Sequence, residues 1–217
     1  MEDLTDILGK PLSDDKFILE LLRKKLEPFK SKEIEIESRL GKLIDTFTSE
    51  RLRIASMHPV ILENSNDFRF ETGVRSGDFE KIKKLFSDLE SVKISDKTFS
   101  HQGMRKTVCN GVEKTIKKSR LLALNIYLPD KAYDLRIAVA KEVEMPNFMK
   151  KGGFERERDR ETFKIDNLQY DFTIINELYR NNQTSEKIYE VETEMINADG
   201  DLDDFLRSTI NLGTFLE

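Results

Sequence analysis

Apolar residues recur along the chain with two periods. In 14–27, Phe17, Ile18, Leu21, Leu22 and Leu26 fall at helical spacing, Ser13 or Asp14 can cap the start, and Pro28 stops the run. In 78–91, Phe79, Ile82, Leu85, Phe86 and Leu89 form one face, with Asp78 as a cap after Gly77. In 200–212, Leu202, Phe205, Leu206 and Ile210 do the same, and Gly213 ends the helix. Almost everything else alternates with period two, which predicts strands over 33–40, 51–57, 67–74, 104–109, 112–127, 133–145, 154–164, 168–177 and 186–197. Many strands with a few flanking helices predict a mainly β fold of the α+β kind, as an antiparallel sheet, sandwich or barrel. No internal repeat and no Pro/Gly/Ser linker divides the chain, so 1–217 is expected to be a single domain.

Three of these strands carry like charges on one face. Glu33, Glu35 and Glu37 share a side with Ile34 and Ile36 on the other, and Glu190, Glu192 and Glu194 repeat the pattern. The reverse holds in 156–160, where Arg156, Arg158 and Arg160 share one face and Glu155, Glu157, Asp159 and Glu161 the other. Residues two apart on a strand lie about 7 Å apart, and like charges there cost roughly 2 kcal/mol per pair at an effective dielectric of 20. Solvated faces of an ordinary sheet explain any one such strand but explain the set poorly, because surface strands mix signs. Acidic and basic faces that look at each other across a closed polar lumen explain all three, with Ile34 and Ile36 packed outward under helices.

Composition narrows the chemistry. The single cysteine, Cys109, and the two histidines, His58 and His101, exclude a disulfide framework and any Cys- or His-rich metal site. Cys109 is expected to be a small buried hydrophobe, and both histidines loop residues. The net charge of −5 argues against coating nucleic acid by bulk electrostatics, yet the charge is strongly sorted. Residues 101–120 hold six Lys/Arg against one acid, and residues 186–204 eight acids against one Lys. Clustered carboxylates suit a hard divalent cation, Mg²⁺ or Mn²⁺, and clustered arginines suit phosphate. Together on one polyanion they are suited to phosphoryl transfer, without a glycine-rich Walker loop. The start Met1-Glu2-Asp3 shows no basic-then-apolar leader and no run approaches a membrane span, so neither a secretory signal nor a membrane location is expected.

With two Glu-x-Glu strands near its ends and a basic strand between them, the chain resembles the triphosphate tunnel metalloenzymes. More closely it is similar to the metal-dependent RNA 5′-triphosphatases of fungal-type mRNA capping. The likeness runs through Ile34-Glu35-Ile36-Glu37-Ser38-Arg39-Leu40-Gly41, Phe70-Glu71-Thr72-Gly73-Val74, Tyr133-Asp134-Leu135-Arg136-Ile137 up to Glu142, Glu155 to Arg160, Asp171-Phe172-Thr173 and Glu190 to Glu194. It implies a closed, tunnel-like antiparallel barrel of about eight strands with a polar lumen and flanking helices, the 14–27 helix packed outside. It implies Glu35, Glu37 and Glu194 as ligands of Mg²⁺ or Mn²⁺. Arg105, Arg158 and Arg160 would grip the terminal phosphate with Arg156 and Lys118 in support, and Glu142 would orient the attacking water. On residues alone, Glu142 reads first as a salt-bridge partner of the arginines, and the resemblance is what favours the water-orienting role. Asp171, Thr173, Glu190 and Glu192 would hold ligands and arginines in place, while Glu33 faces out at a strand end. Arg158 stands where close relatives carry lysine, and Gln169 where they carry arginine.

The activity so implied is removal of the γ-phosphate from 5′-triphosphate RNA, the first step of mRNA capping, with Mn²⁺-dependent hydrolysis of nucleoside triphosphates beside it. Implied partners are the RNA 5′ end, RNA guanylyltransferase and a second copy in a homodimer; the implied location is nuclear. The 217 residues hold no tryptophan, so no Trp-containing guanylyltransferase-docking segment of the yeast type is expected among them. Two rivals remain at this stage. One is a tripolyphosphatase or thiamine-triphosphatase tunnel enzyme; the other is a non-catalytic module that binds polyphosphate or RNA ends.

Overall fold

The computed structural model describes residues 4, 8, 16–63, 65–101, 103–146, 154–178 and 187–216. Its strands are β1 (Ile34–Asp45), β2 (Val60–Leu62), β3 (Phe68–Thr72), β4 (Ser91–His101), β5 (Met104–Cys109), β6 (Val112–Tyr127), β7 (Asp134–Met145), β8 (Phe154–Ile165), β9 (Leu168–Leu178) and β10 (Ile188–Met195). The helices are α1 (Lys16–Leu26), α2 (Ser76–Lys84) and α3 (Leu202–Phe215). Every pairing is antiparallel, in the order β10-β9-β8-β4-β5-β6-β7-β1. A β1–β10 pairing that sets Glu37 opposite Glu194 then closes the eight-stranded barrel. Beyond that seam β3 extends β1, and β2 adds to β6.

Where the helices cover it the barrel is apolar outside, and its lumen is polar. On β1, Ile36 and Leu40 are buried under the helices, and on β7 Leu135, Ile137 and Val139 are too. The alternate positions Glu35, Glu37 and Arg39 stand opposite Ala140, Ala138 and Arg136, all on the lumen face. α2 lies against β8–β10, where Phe79 meets Phe172 edge-on at 5.6 Å and Phe86 sits 4.9 Å from Tyr170. α3 is pinned to the wall by two buried hydroxyl pairs, Ser38–Thr209 at 2.9 Å and Tyr170–Ser208 at 2.8 Å. α1 packs on α3, and Arg23 Nε donates to Asp203 at 2.8 Å. The 156–160 strand is stable without an apolar face because its outer acids pair with β4 and α2. Lys97 reaches Glu157 at 2.6 Å, Ser95 donates to Asp159 at 2.6 Å, and Lys83 holds Glu161 at 2.6 Å.

Several local expectations are corrected. The strand expected over 51–57 reduces to a bridge at Arg51, whose guanidinium is committed to Asp134, 3.0 Å from Nε, and to two carbonyls. The second helix begins at Ser76, with Asp78 inside its first turn, and it ends at Lys84 in successive three-residue turns. The strand β4 that follows was not anticipated, and it carries His101 as its last residue rather than in a loop. Gly213 does not end the last helix. It lies within α3, where a Cβ would meet Leu128 at 2.9 Å, so the glycine lets the helix press on the barrel. Cys109 is half-buried at the end of β5. Ser13 and Asp14 lie outside the described residues.

Candidate active site

Strand parity brings charged side chains from all eight barrel strands to one lumen. Glu35, Glu37 and Arg39 come from β1, Asp96 from β4, Arg105 from β5, Lys118 and Arg120 from β6, and Glu142 from β7. Arg156, Arg158 and Arg160 come from β8, and Glu190, Glu192 and Glu194 from β10. Asp171 and Thr173 of β9 face the same space, beside Arg160 and Glu192. A cavity of about 440 Å³ is lined by Glu35, Glu37, Glu142, Glu192, Glu194, Arg39, Arg105, Lys118 and Arg160, with Glu33 at its rim. Glu33 itself is exposed and paired with Lys141 at 2.6 Å.

The charges form a connected network. The Lys118 ammonium lies 2.8 Å from Glu35, 3.1 Å from Glu37 and 3.9 Å from Glu142. Arg105 donates to Glu142 at 3.2 Å. Arg160 bonds Asp171 at 3.0 Å and Thr173 at 3.2 Å, and approaches Glu192 at 3.8 Å. Burial opposes the charge on Lys118 and on Arg160, but the surrounding carboxylates more than offset it and push both pKa values up. Arg156 and Arg158 do not line this cavity among the described residues. Arg158 holds Asp96 through two bonds of 2.8 Å, and Arg156 holds Glu177 at 2.8 Å.

Three groups escaped the sequence reading. Arg39 approaches Glu192 at 2.5 Å and Glu37 at 3.3 Å; its signal was available, since it continues the parity of Glu35 and Glu37. Asp96 and Glu177 lie isolated in sequence, and only the β4–β8 and β8–β9 registers reveal them as arginine partners.

The acidic side of the lumen is undercompensated. Glu194 has Glu37 on one side and the neutral Gln169 on the other, and it makes no ion pair among the described residues. Burial first, then Glu35, Asp171, Glu37 and Glu192, push its pKa up to about 8. Burial and Glu192 likewise push the Glu190 carboxyl up. Glu35 Oε2 is buried without a hydrogen-bond partner. Among the described residues no three carboxylates converge at metal-ligand spacing, and the Lys118 ammonium stands between Glu35 and Glu37. An oxygen-only donor set with an orphaned oxygen and a carboxyl that resists ionisation nevertheless fits a hard divalent cation.

Comparison with known proteins agrees with this architecture. A family model described as mRNA capping enzyme, beta chain, matches residues 15–207. The mRNA-capping enzyme subunit beta of Schizosaccharomyces pombe is 25% identical over 220 residues, covering 88% of this chain and 72% of that protein. The solved S. pombe Pct1 RNA triphosphatase shares the fold with a TM-score of 0.77 at 22% identity, over 95% of each chain. Pct1 in complex with the Spt5 CTD matches with a TM-score of 0.75 at 20% identity, over 99% of each chain. The family match spans the strands that build this lumen, and the chain belongs to the mRNA capping enzyme beta-chain family.

Proposed function

We propose that the chain is an RNA 5′-triphosphatase, a hydrolase of mRNA capping that removes the γ-phosphate from triphosphate-ended RNA. The observation that carries this is the divided lumen: Glu35, Glu37 and Glu194 on one wall, with Arg105, Lys118 and Arg160 reaching in from the others. Hydrolysis breaks the bond between the γ-phosphorus and its bridge to the β-phosphate, and water forms the new P–O bond. The products are inorganic phosphate and a diphosphate-ended RNA.

Glu35, Glu37 and Glu194 would hold a divalent cation, Mg²⁺ or Mn²⁺, which when bound supplies charge neutralisation at the phosphate oxygens. The chain's own residues do the rest. Arg105 and Arg160 offer planar donors to the terminal phosphate and stabilise the charge that spreads over its oxygens. Lys118 is shared among Glu35, Glu37 and Glu142 and can follow whichever anion is strongest. Glu142, steadied by Arg105, accepts a hydrogen bond from water and aims it in line. Asp171 and Thr173 fix Arg160, and Glu192 fixes Arg39. Glu190 keeps the β10 wall acidic. Arg156 and Arg158 act through their carboxylate pairs, as supports of the lumen wall.

We infer also, from the resemblance, partnership with an RNA guanylyltransferase that would take up the diphosphate end, self-association into a homodimer, and nuclear location. The test uses RNA labelled at the γ or the α position. With Mg²⁺ the γ label should leave as phosphate and the α label should stay on a diphosphate end. Release of pyrophosphate, or hydrolysis of tripolyphosphate with no action on RNA, would reassign the chain to another triphosphate substrate.

A further inference from the structure

The lumen continues past the carboxylates into a second cavity of about 410 Å³, and the sign of the charge inverts along the way. The two cavities share Glu37, Arg39, Arg105 and Lys118. Beyond that waist the first opens past Glu33, Glu35 and Glu194 with Lys32 beside them, and the second opens past Arg120, His101 and Met104 with no further carboxylate among the described residues. Ala138 and Ala140 line the second cavity, and their small side chains keep that half of the passage clear. The β4–β5 hairpin forms its lip, with His101 opposite Met104, and Lys118 N bonds Gly103 O at 3.2 Å to tie the hairpin to β6.

Arg120 at this mouth and Arg136 near it lack anionic partners among the described residues. Arg120 is exposed and forms no ion pair among the described residues. Arg136 donates to Asn125 at 2.8 Å and lies over the Phe70 ring at 4.6 Å, but no carboxylate meets it. Its cross-strand neighbour is Arg39, an opposition of like charges that costs stability unless an anion intervenes. Burial, then Arg120 and Arg39, push the Arg136 pKa down to about 10. A cationic mouth draws in a polyanion, and an acidic one repels it.

Resting on the triphosphatase reading, we propose that the RNA enters through this basic mouth, 5′ end first. The triphosphate then crosses the waist toward Glu35, Glu37 and Glu194, and Arg120 holds the first internucleotide phosphate outside. Tripolyphosphate ends before it reaches the mouth and has no such contact.

The test compares full-length wild type with Arg120→Ala, Arg120→Glu and Lys32→Glu, the last at the acidic mouth. The substrates are a γ-labelled triphosphate RNA of about ten nucleotides and tripolyphosphate. Arg120→Glu should raise KM for RNA about tenfold, the loss of one charge-assisted phosphate contact, and leave kcat in place. Arg120→Ala should do so less, and in both variants the slope of log(kcat/KM) against log salt should become shallower by about one. Tripolyphosphate KM should move far less than the RNA KM, neither Arg120 variant should lower the melting temperature, and Lys32→Glu should leave the RNA KM unchanged. An unchanged RNA KM in Arg120→Glu, or an equal loss on tripolyphosphate, overturns the proposal while the wild-type activity stands. So does a KM effect confined to Lys32→Glu. Wild type that spares RNA but cleaves tripolyphosphate overturns the function and this route together.

Discussion

Glu37 and Glu194 stand directly opposite each other across the β1–β10 seam that closes the barrel. Like charges in that position destabilise a sheet, so the last pairing that makes the fold is one its side chains resist. A site that contains its own strain in this way is one that a bound cation can relieve.

Divalent cation should therefore stabilise the protein by mass action. Mn²⁺ should raise the melting temperature, more so with tripolyphosphate present. Glu35→Ala and Glu194→Ala should each remove that response together with activity. A full Mn²⁺ shift in both variants would show that the metal lies elsewhere.

Protons should report on the same seam. The Glu194 pKa lies at about 8 in the folded chain, above an ordinary carboxyl of 4.5, so the fold binds the proton more tightly than the unfolded chain does. The protonated carboxyl's contribution is complete below about 4.5 and is lost as pH rises through about 8. In metal-free protein the loss amounts to at most roughly 5 kcal/mol, visible as the difference in pH dependence between wild type and Glu194→Gln. At pH 7, Mn²⁺ binding should release close to one proton in wild type and fewer in Glu194→Gln, measured by calorimetry in buffers of different ionisation enthalpy. Equal proton release in the two proteins would contradict the assignment.

Gln169 lets that pKa rise. It faces Glu194 across β9–β10 but spends its amide on Asp171 at 3.1 Å, leaving Glu194 without a cation. Gln169→Arg should supply one, pull the Glu194 pKa down and weaken the pH dependence of stability between pH 5 and 8. An unaltered stability profile would mean that Glu194 does not set it.

Strand parity made much of this legible in the sequence. Leu135, Ile137 and Val139 alternate with Arg136, Ala138, Ala140 and Glu142, so the two faces of β7 could be read directly, and the acid rows of β1 and β10 likewise. β4 was hidden because its outer Lys93, Ser95 and Lys97 find partners on β8 rather than in a core, and its inner face mixes Ile94 with Asp96 and Thr98. Arg158 illustrates what parity cannot supply. Its face was evident, but its partner depends on a register sixty-two residues away in sequence.

Glu142→Gln separates chemistry from grip. It keeps the shape of the side chain and removes the charge, so kcat should fall by about a hundredfold or more while triphosphate still binds. Glu142 is also the carboxylate that Arg105 contacts, and a mere salt-bridge partner would leave kcat in place when the amide is substituted. Single-turnover rates against binding of a labelled triphosphate distinguish the two.

Arg158 and Arg160 sit two residues apart on one face of β8 and should behave differently. Arg158 is nearly buried with Asp96, its Nε and Nη2 both engaged, so Arg158→Ala strands a carboxylate in the wall and should cost about 3 kcal/mol or more of stability. Arg158→Ala with Asp96→Ala removes both charges and should recover most of that loss, read from denaturant midpoints as a coupling energy. Arg160 lines the cavity and holds Asp171 with one branch of its fork, leaving another 3.8 Å from Glu192, where a phosphate oxygen can compete for it. Arg160→Ala should therefore lower kcat/KM for RNA and tripolyphosphate alike with a smaller loss of stability. If instead Arg158→Ala kept full stability and lost only phosphate affinity, the Arg158–Asp96 pair would be one that opens to substrate, and Arg158 would belong with Arg105 and Arg160 at the terminal phosphate.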